Sequence, residues 1–362
     1  MGIEVKLPAT PAGHLADLPV TSQEKVLKLI RPQREWRWEI AVYLYLAGMG
    51  AGAYIIGSFL IWLGVSLTPS RSLVPFGVPL NLTYAALLWG PILVAIGAPF
   101  LILDLGKKHK FFTACLNPRT SWVARGFLIL SAFIVLGLIV LAVSVLSPER
   151  SGSRNVLWFI LEMISVIFAF ATALYTGVLL KSMKYTPIWN TPLLPTLFLA
   201  SALSTGSMVV VLSVMSYGLF ASSGHSLLPL IHGVIRVEQI FILIEGFILA
   251  IYLWAVYRKG SQGKSSVHLL LFGDLKWLFW GGIVSLGFFF PMILESLYSQ
   301  LPGYPMLLVL TGLFLLCGGF FLRSGVIAAG IKEQFPMHRF VEAKIRLAVT
   351  EKKIQKGIGS VD

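Results

Sequence analysis

The sequence predicts an all-α integral membrane protein with eight transmembrane helices in two four-helix bundles. Composition comes first. Of 362 residues 56% are hydrophobic and only 12% charged, and mean hydropathy is +0.82. Average soluble chains carry roughly 25% charged residues, so a globule built this way could not cover its surface. This excludes a soluble enzyme, a DNA-binding protein and a secreted disulfide scaffold. The second observation is eight apolar runs, each long enough to cross a hydrocarbon slab of about 30 Å. The third is a weak internal repeat.

The chain divides into a polar, basic tail (1–37), a first bundle (38–182), a second bundle (191–331) and a basic C-terminal tail (332–362). The first tail does not read as a cleavable signal peptide, because it lacks an apolar core. The expected spans are Trp38–Leu67, Leu82–Leu105, Ser121–Leu146, Val156–Leu180, Leu193–Leu219, Val234–Tyr257, Leu275–Leu297 and Pro305–Ile331. Their apolar residues are continuous, with no period of two, so they read as helices and not barrel strands. Pro91, Pro99 and Pro291 fall inside spans and are expected to kink them.

Eight crossings put both tails on one side. That side carries 23 of the Lys and Arg residues, and the opposite loops only Arg71, Arg150 and Arg154. The bias places both termini in the cytoplasm of a prokaryotic inner membrane. The formal net charge of +13 then reflects basic loops against an anionic leaflet or a partner, not nucleic acid.

Tyr45-Leu46-Ala47-Gly48 in span 1 resembles Phe198-Leu199-Ala200-Ser201 in span 5. Leu174-Tyr175-Thr176-Gly177-Val178 in span 4 resembles Leu322-Arg323-Ser324-Gly325-Val326 in span 8. Two bundles in parallel orientation give this pattern, since four crossings restore direction. Tyr175 and Arg323 are then equivalent positions in the two halves.

Candidate functional residues follow from burial and spacing. Gly48 and Gly52 are four apart and let another helix backbone approach closely. Glu39 and Tyr43 are also four apart; a carboxylate and a phenol on one face can bind a carbonyl headgroup and exchange its protons. Anchoring at the interface is the alternative for Tyr43 and its neighbours Trp36 and Trp38. Asp104 ends span 2 before Lys107, Lys108, His109 and Lys110. It could relay protons or simply pair with a lysine, and His109 reads as a loop histidine beside it. Charge in the bilayer is expensive, so the ionisable residues inside spans stand out. They are Glu162, Arg236, Glu238, Glu245, Glu295 and Arg323. Glu238 and Glu245 are two turns apart and share a face. The set is either a buried ion-pair network that fixes packing or a proton path. The six histidines lie in tails, loops or at span edges, which gives no paired ligands for a b-type haem. Two cysteines, Cys115 and Cys317, are too few for an iron–sulfur cluster.

Several stretches together resemble the NrfD-like family, the membrane subunits of polysulfide reductase and related respiratory complexes. They are Trp38-Glu39-Ile40-Ala41-Val42-Tyr43 running on to Gly52, Leu103-Asp104-Leu105-Gly106, Asn117-Pro118-Arg119-Thr120-Ser121-Trp122, Pro187-Ile188-Trp189-Asn190-Thr191-Pro192, and Arg323-Ser324-Gly325. The resemblance implies two four-helix bundles and no metal cofactor held by this chain. It implies a quinone or menaquinone pocket in the first bundle, with Glu39, Tyr43, Asp104, His109 and Tyr175 as its candidates. It further implies an iron–sulfur, ferredoxin-like partner, with a catalytic subunit beyond it, molybdopterin-containing or related. In such relatives the first end of span 1 faces outside, against the charge count; an acidic iron–sulfur partner would account for the same lysines. The expected function is a membrane-anchor subunit in anaerobic respiration, exchanging electrons between quinol and the partner with coupled proton transfer. The alternatives are a quinone-independent proton-conducting anchor and a secondary transporter.

Overall fold

A computed structural model describes residues 38–63, 82–104, 121–146, 155–220 and 224–331. These residues are helical nearly throughout. The helices are α1 (Trp38–Trp62), α2 (Leu82–Asp104), α3 (Trp122–Leu146), α4 (Val156–Lys181), α5 (Leu193–Phe220), α6 (Gly224–Tyr257) and α7 (Ser261–Leu271). A π-wound stretch, Leu278–Phe289, then runs directly into α8 (Phe290–Gln300), and α9 (Met306–Ala328) follows.

Among the described residues seven helices are long and apolar enough to cross a membrane. The expected second span is the exception. Its helix α2 has 23 residues and is apolar along its length, and among the described residues the stretch counted for it is Leu87–Leu101. Helix α6 begins at Gly224, ten residues before the expected sixth span, and winds through Pro229; its spanning part is Ile231–Tyr257. Helix α7 was not expected at all. Its apolar residues Val267 and Leu270 are buried while Lys264 and His268 are exposed, the pattern of a helix lying along a surface. Of the expected kinks, Pro291 falls at the change from π to α winding, where wide turns and a missing N–H both loosen the helix. Pro91 stays inside α2, and its ring sits over Gly137 of α3, where a Cβ would come within 2.6 Å of it.

Two helices are central. In α1 78% of the spanning window is buried within the protein, and in α5 72%, against 28% in α3 and α6. Helix α1 packs on α2, α4, α5 and α9, and α5 packs on α6 as well. The contact between α1 and α5 is a backbone contact. A Cβ on Gly52 would lie 1.8 Å from the Ala202 carbonyl oxygen, and one on Gly206 would lie 2.3 Å from Ala53 N. Small residues four apart on both helices, Gly48 and Gly52 against Ala202 and Gly206, make this approach possible.

Short polar links tie the ends together. Asn155 caps α4, its Oδ1 accepting from Leu157 N and Trp158 N at 3.1 and 3.4 Å. In the 182–192 connection the Trp189 indole donates to the Val326 carbonyl at 2.8 Å, and Tyr252 Oη donates to the Ile188 carbonyl at 2.6 Å. That connection is thereby fixed against both α9 and α6.

Replacing Gly52 by Val forces α1 and α5 apart, a change of the overpacking kind that costs about 1–3 kcal/mol or more. The expected result is a marked loss of thermal stability in detergent, read by circular dichroism. Gly233→Ala, at a glycine with nothing within 4 Å, should leave it unchanged.

Candidate functional site

The polar residues inside the helices fall into three groups. The first lies at the Trp38 end of α1. Tyr43 is fully buried, and its hydroxyl has no hydrogen-bond partner. One turn away, Glu39 Oε2 is likewise buried without a partner. Tyr175 of α4 lies close enough to Tyr43 to interact electrostatically, and its hydroxyl donates to the Trp122 carbonyl at 3.0 Å. Gly126 makes room for that ring: a Cβ there would sit 1.8 Å from Tyr175 Cζ. Helix α2 runs antiparallel to α1, with Gly90 against Gly50 and Tyr54, and Gly97 against Tyr43 and Ala47. Two further turns bring the backbone of Asp104 level with the start of α1. The structure thus brings Glu39, Tyr43 and Tyr175 to one end of α1 and ends α2 beside them. His109 lies outside the described residues.

The second group is near the other end of the same helix. Glu162 of α4 is fully buried. Its Oε2 accepts from the Trp62 indole at 3.0 Å, and Oε1 has no partner. Ser58 is a close neighbour of Glu162, and Ser165 of Tyr54. Sequence reasoning found Glu162 but missed Tyr54, Ser58 and Trp62. Their signal was available: Tyr43 and Tyr54 are eleven residues, three turns, apart, and Ser58 is one turn further.

The third group links α5, α6, α8 and α9. Arg323 of α9 is fully buried. Its Nη1 donates to Ser201 Oγ at 2.9 Å and to the Gly319 carbonyl at 3.0 Å, while Nε and Nη2 have no partner. The guanidinium sits over two rings, 5.4 Å from Tyr45 and 5.3 Å from Phe198. A Cβ on Gly48 would lie 2.7 Å from Nη2. The repeat Tyr45…Gly48 and Phe198…Ser201 therefore closes on one cation, contact by contact. Glu245 is within electrostatic reach of Arg323 without bonding it directly. Glu238 and Glu295 are fully buried on α6 and α8, and their carboxyl groups lie within hydrogen-bonding reach of each other. Glu295 lines a polar cleft of about 610 Å³ with His232, Arg236, Gln239, Ser296 and Ser299. Arg236 is exposed along this cleft.

Among the described residues no group of three or more His, Cys, Asp or Glu could hold a metal ion. Cys317 is free and exposed.

Comparison with known proteins adds a family. The model described as polysulphide reductase, NrfD matches residues 30–333. The C subunit of polysulfide reductase from Wolinella succinogenes is 30% identical over 312 residues, covering 82% of this chain and 94% of that protein. Protein NrfD of Escherichia coli is 28% identical over 332 residues, covering 82% and 94% respectively. The NrfD homolog of Haemophilus influenzae is 25% identical over 317 residues, covering 83% and 95%.

The Trp62–Glu162 bond gives a direct test of how the buried carboxyl is held. Trp62→Phe leaves both oxygens of Glu162 unbonded and should destabilise the protein by about 1–3 kcal/mol, whereas adding Glu162→Leu should restore most of the loss. Chemical denaturation in detergent reads both.

Proposed function

The chain belongs to the NrfD, polysulphide reductase, family, and from that membership we propose that it is the membrane-anchor subunit of a respiratory oxidoreductase. In this reading it exchanges electrons between the quinone pool and an iron–sulfur partner, with a catalytic reductase or dehydrogenase subunit beyond. Helices α1–α4 form the first bundle and α5, α6, the π-wound stretch with α8, and α9 the second, so that α2 completes eight crossings. Charge bias favours cytoplasmic termini.

The observation that carries the quinone reading is the pair of unpartnered buried acceptors, Glu39 Oε2 and Tyr43 Oη, on one face of α1. Buried polar groups are normally bonded, and an orphan calls for a ligand or water. A quinol has two hydroxyls to donate. Its oxidation releases two electrons and two protons; the electrons pass to the partner's cluster and the protons need an acceptor such as Glu39. Tyr43 would hold a quinone carbonyl, and Tyr175 would back it. Asp104 and His109 would supply the protonic edge of the pocket. The family relation to the polysulfide reductase C subunit supports a subunit that serves redox chemistry.

The acids of the second half support coupled proton transfer. Glu238 and Glu295 stand beside a polar cleft, and Glu245 and Arg323 continue toward α1. A quinone-independent, proton-conducting anchor rests on this same group and needs nothing from Tyr43.

In the complex purified with its partners, quinol should reduce the iron–sulfur clusters. Tyr43→Phe and Glu39→Gln should each slow that reduction by roughly a hundredfold, the scale of a lost acid–base group, with partner binding intact. No reduction by quinol in the intact wild-type complex removes the quinone role. Glu238→Gln or Glu245→Gln should abolish proton movement in vesicles while partner binding stays unchanged, and wild-type flux in both variants removes the proton path.

A further inference from the structure

Around the C-terminal end of α6 the charge is one-sided. Segments 181–192 and 258–277 contain Lys181, Lys184, Arg258, Lys259, Lys264 and Lys276 against a single acid, Asp274. The cations are held in place. Arg258 lies over the Trp254 ring at 4.5 Å, and Lys264 over the Tyr257 ring at 5.4 Å. The Lys259 ammonium donates to the Asn190 carbonyl and so is tethered to the 182–192 connection. Burial, and then the charge of nearby Lys181, lowers the Lys259 pKa; these two ammonium groups share a region with no described carboxylate between them.

Below this cluster the outer face of α6 is apolar and uncovered. Ile240, Leu243, Phe247 and Trp254 are 55%, 61%, 68% and 58% exposed. Their spacings of three, four and seven residues put them on one face, in line with Arg258, and Lys264 of α7 lies over Tyr257 at the end of the same helix. A ligand that satisfies both features has an anionic head joined to apolar chains. An acidic protein surface would match the cations and leave the stripe bare.

We propose that this corner of α6 and α7 is a binding site for an anionic phospholipid. Its phosphodiester lies between Arg258 and Lys264, backed by Lys259 and Lys181, and its acyl chains lie along the Ile240–Trp254 stripe. The cation-over-aromatic pairs fix the basic groups at headgroup depth, where Trp and Tyr are favoured. The site is independent of the quinone pocket, which lies on α1 and α4.

Native mass spectrometry of the purified full-length chain, titrated with phosphatidylglycerol or phosphatidylcholine, tests the proposal. The wild type should retain phosphatidylglycerol at roughly tenfold lower lipid concentration than phosphatidylcholine. The Arg258→Gln/Lys264→Gln variant should lose that preference, since each basic side chain near a headgroup contributes about a fivefold change. Arg258→Lys/Lys264→Arg should keep it. Equal retention of the two lipids overturns the proposal, as does a preference that survives the glutamine variant. Displacement by inorganic phosphate at matching concentration overturns it too, since that marks a site for small anions only. If acylation of Lys264 is blocked by an iron–sulfur partner and not by phosphatidylglycerol, the surface belongs to a protein and the proposal fails.

Discussion

The close backbone approach of α1 and α5 is the constraint on which the remaining structure depends. Gly52 lies against the Ala202 carbonyl and Gly206 against Ala53, so no side chain separates the two helices there. Without a hydrophobic drive between helices in lipid, such dispersion contact is what holds them. It also fixes rotation. With Gly48 and Gly52 turned to α5, the opposite face of α1 must point into α2, α3 and α4, and that face carries Tyr43, Tyr54 and Ser58. One helix therefore serves two environments, which is why so little of it meets lipid.

The same contact makes a place for a buried cation. Tyr45 is one turn from Gly48, and Phe198 is one turn from Ala202; both rings face Arg323 across the seam. A charge at the centre of a transmembrane helix costs about 2.5–3.5 kcal/mol on insertion scales. Two ring contacts at about 0.5–2 kcal/mol each, with charge-assisted bonds to Ser201 and Gly319, are of the size needed to offset it. The rings do this without supplying a carboxylate. Glu245 is left at a distance, so the arginine is not locked into an ion pair and keeps two donor groups unused. A fully paired arginine would be a strut; this one retains capacity to bond water or a displaced acid.

Much of this was legible in the sequence. Helix positions follow from continuous apolar runs, and the glycine pair in span 1 correctly signalled a close approach. The repeat Tyr45…Gly48 and Phe198…Ser201 was visible, but that its two copies meet on Arg323 depends on the rotation of two helices about their contact, which no single-helix pattern encodes. The buried acids were found because charge is rare in such spans. Their partners were missed for the converse reason. Tyr54, Ser58 and Trp62 are common residues in membrane helices and acquire meaning only when α4 brings Glu162 to them. Helix α7 escaped notice because a short amphipathic stretch between two long apolar runs looks like a loop. The π winding before Pro291 has no composition signature at all.

The depth of the polar groups bears on any proton coupling. Glu39, Tyr43 and Tyr175 lie at the end of α1 that meets the C-terminal ends of α2 and α4. Glu162 lies at the other end, bonded to Trp62, the last residue of that helix. In the second half Glu238 and Glu295 stand beside a cleft fed by Ser299 and His232, near the end of α8, and Arg323 lies toward the end of α9 that Trp189 caps. Each half thus holds ionisable groups near both ends, with Tyr54 between them in the first and Glu245 in the second. For a hydrogen ion, the gap from Glu162 to Tyr43 along α1 is broken by Ser58, Ser165 and Tyr54, while the second half offers Glu245 and then Arg323. The second half holds most of the buried charged groups, and the first holds Glu39 Oε2 and Tyr43 Oη, which a quinol headgroup would satisfy. In the proposed reading, electron exchange and proton conduction would call on different halves of the chain, joined through the seam of small residues between α1 and α5.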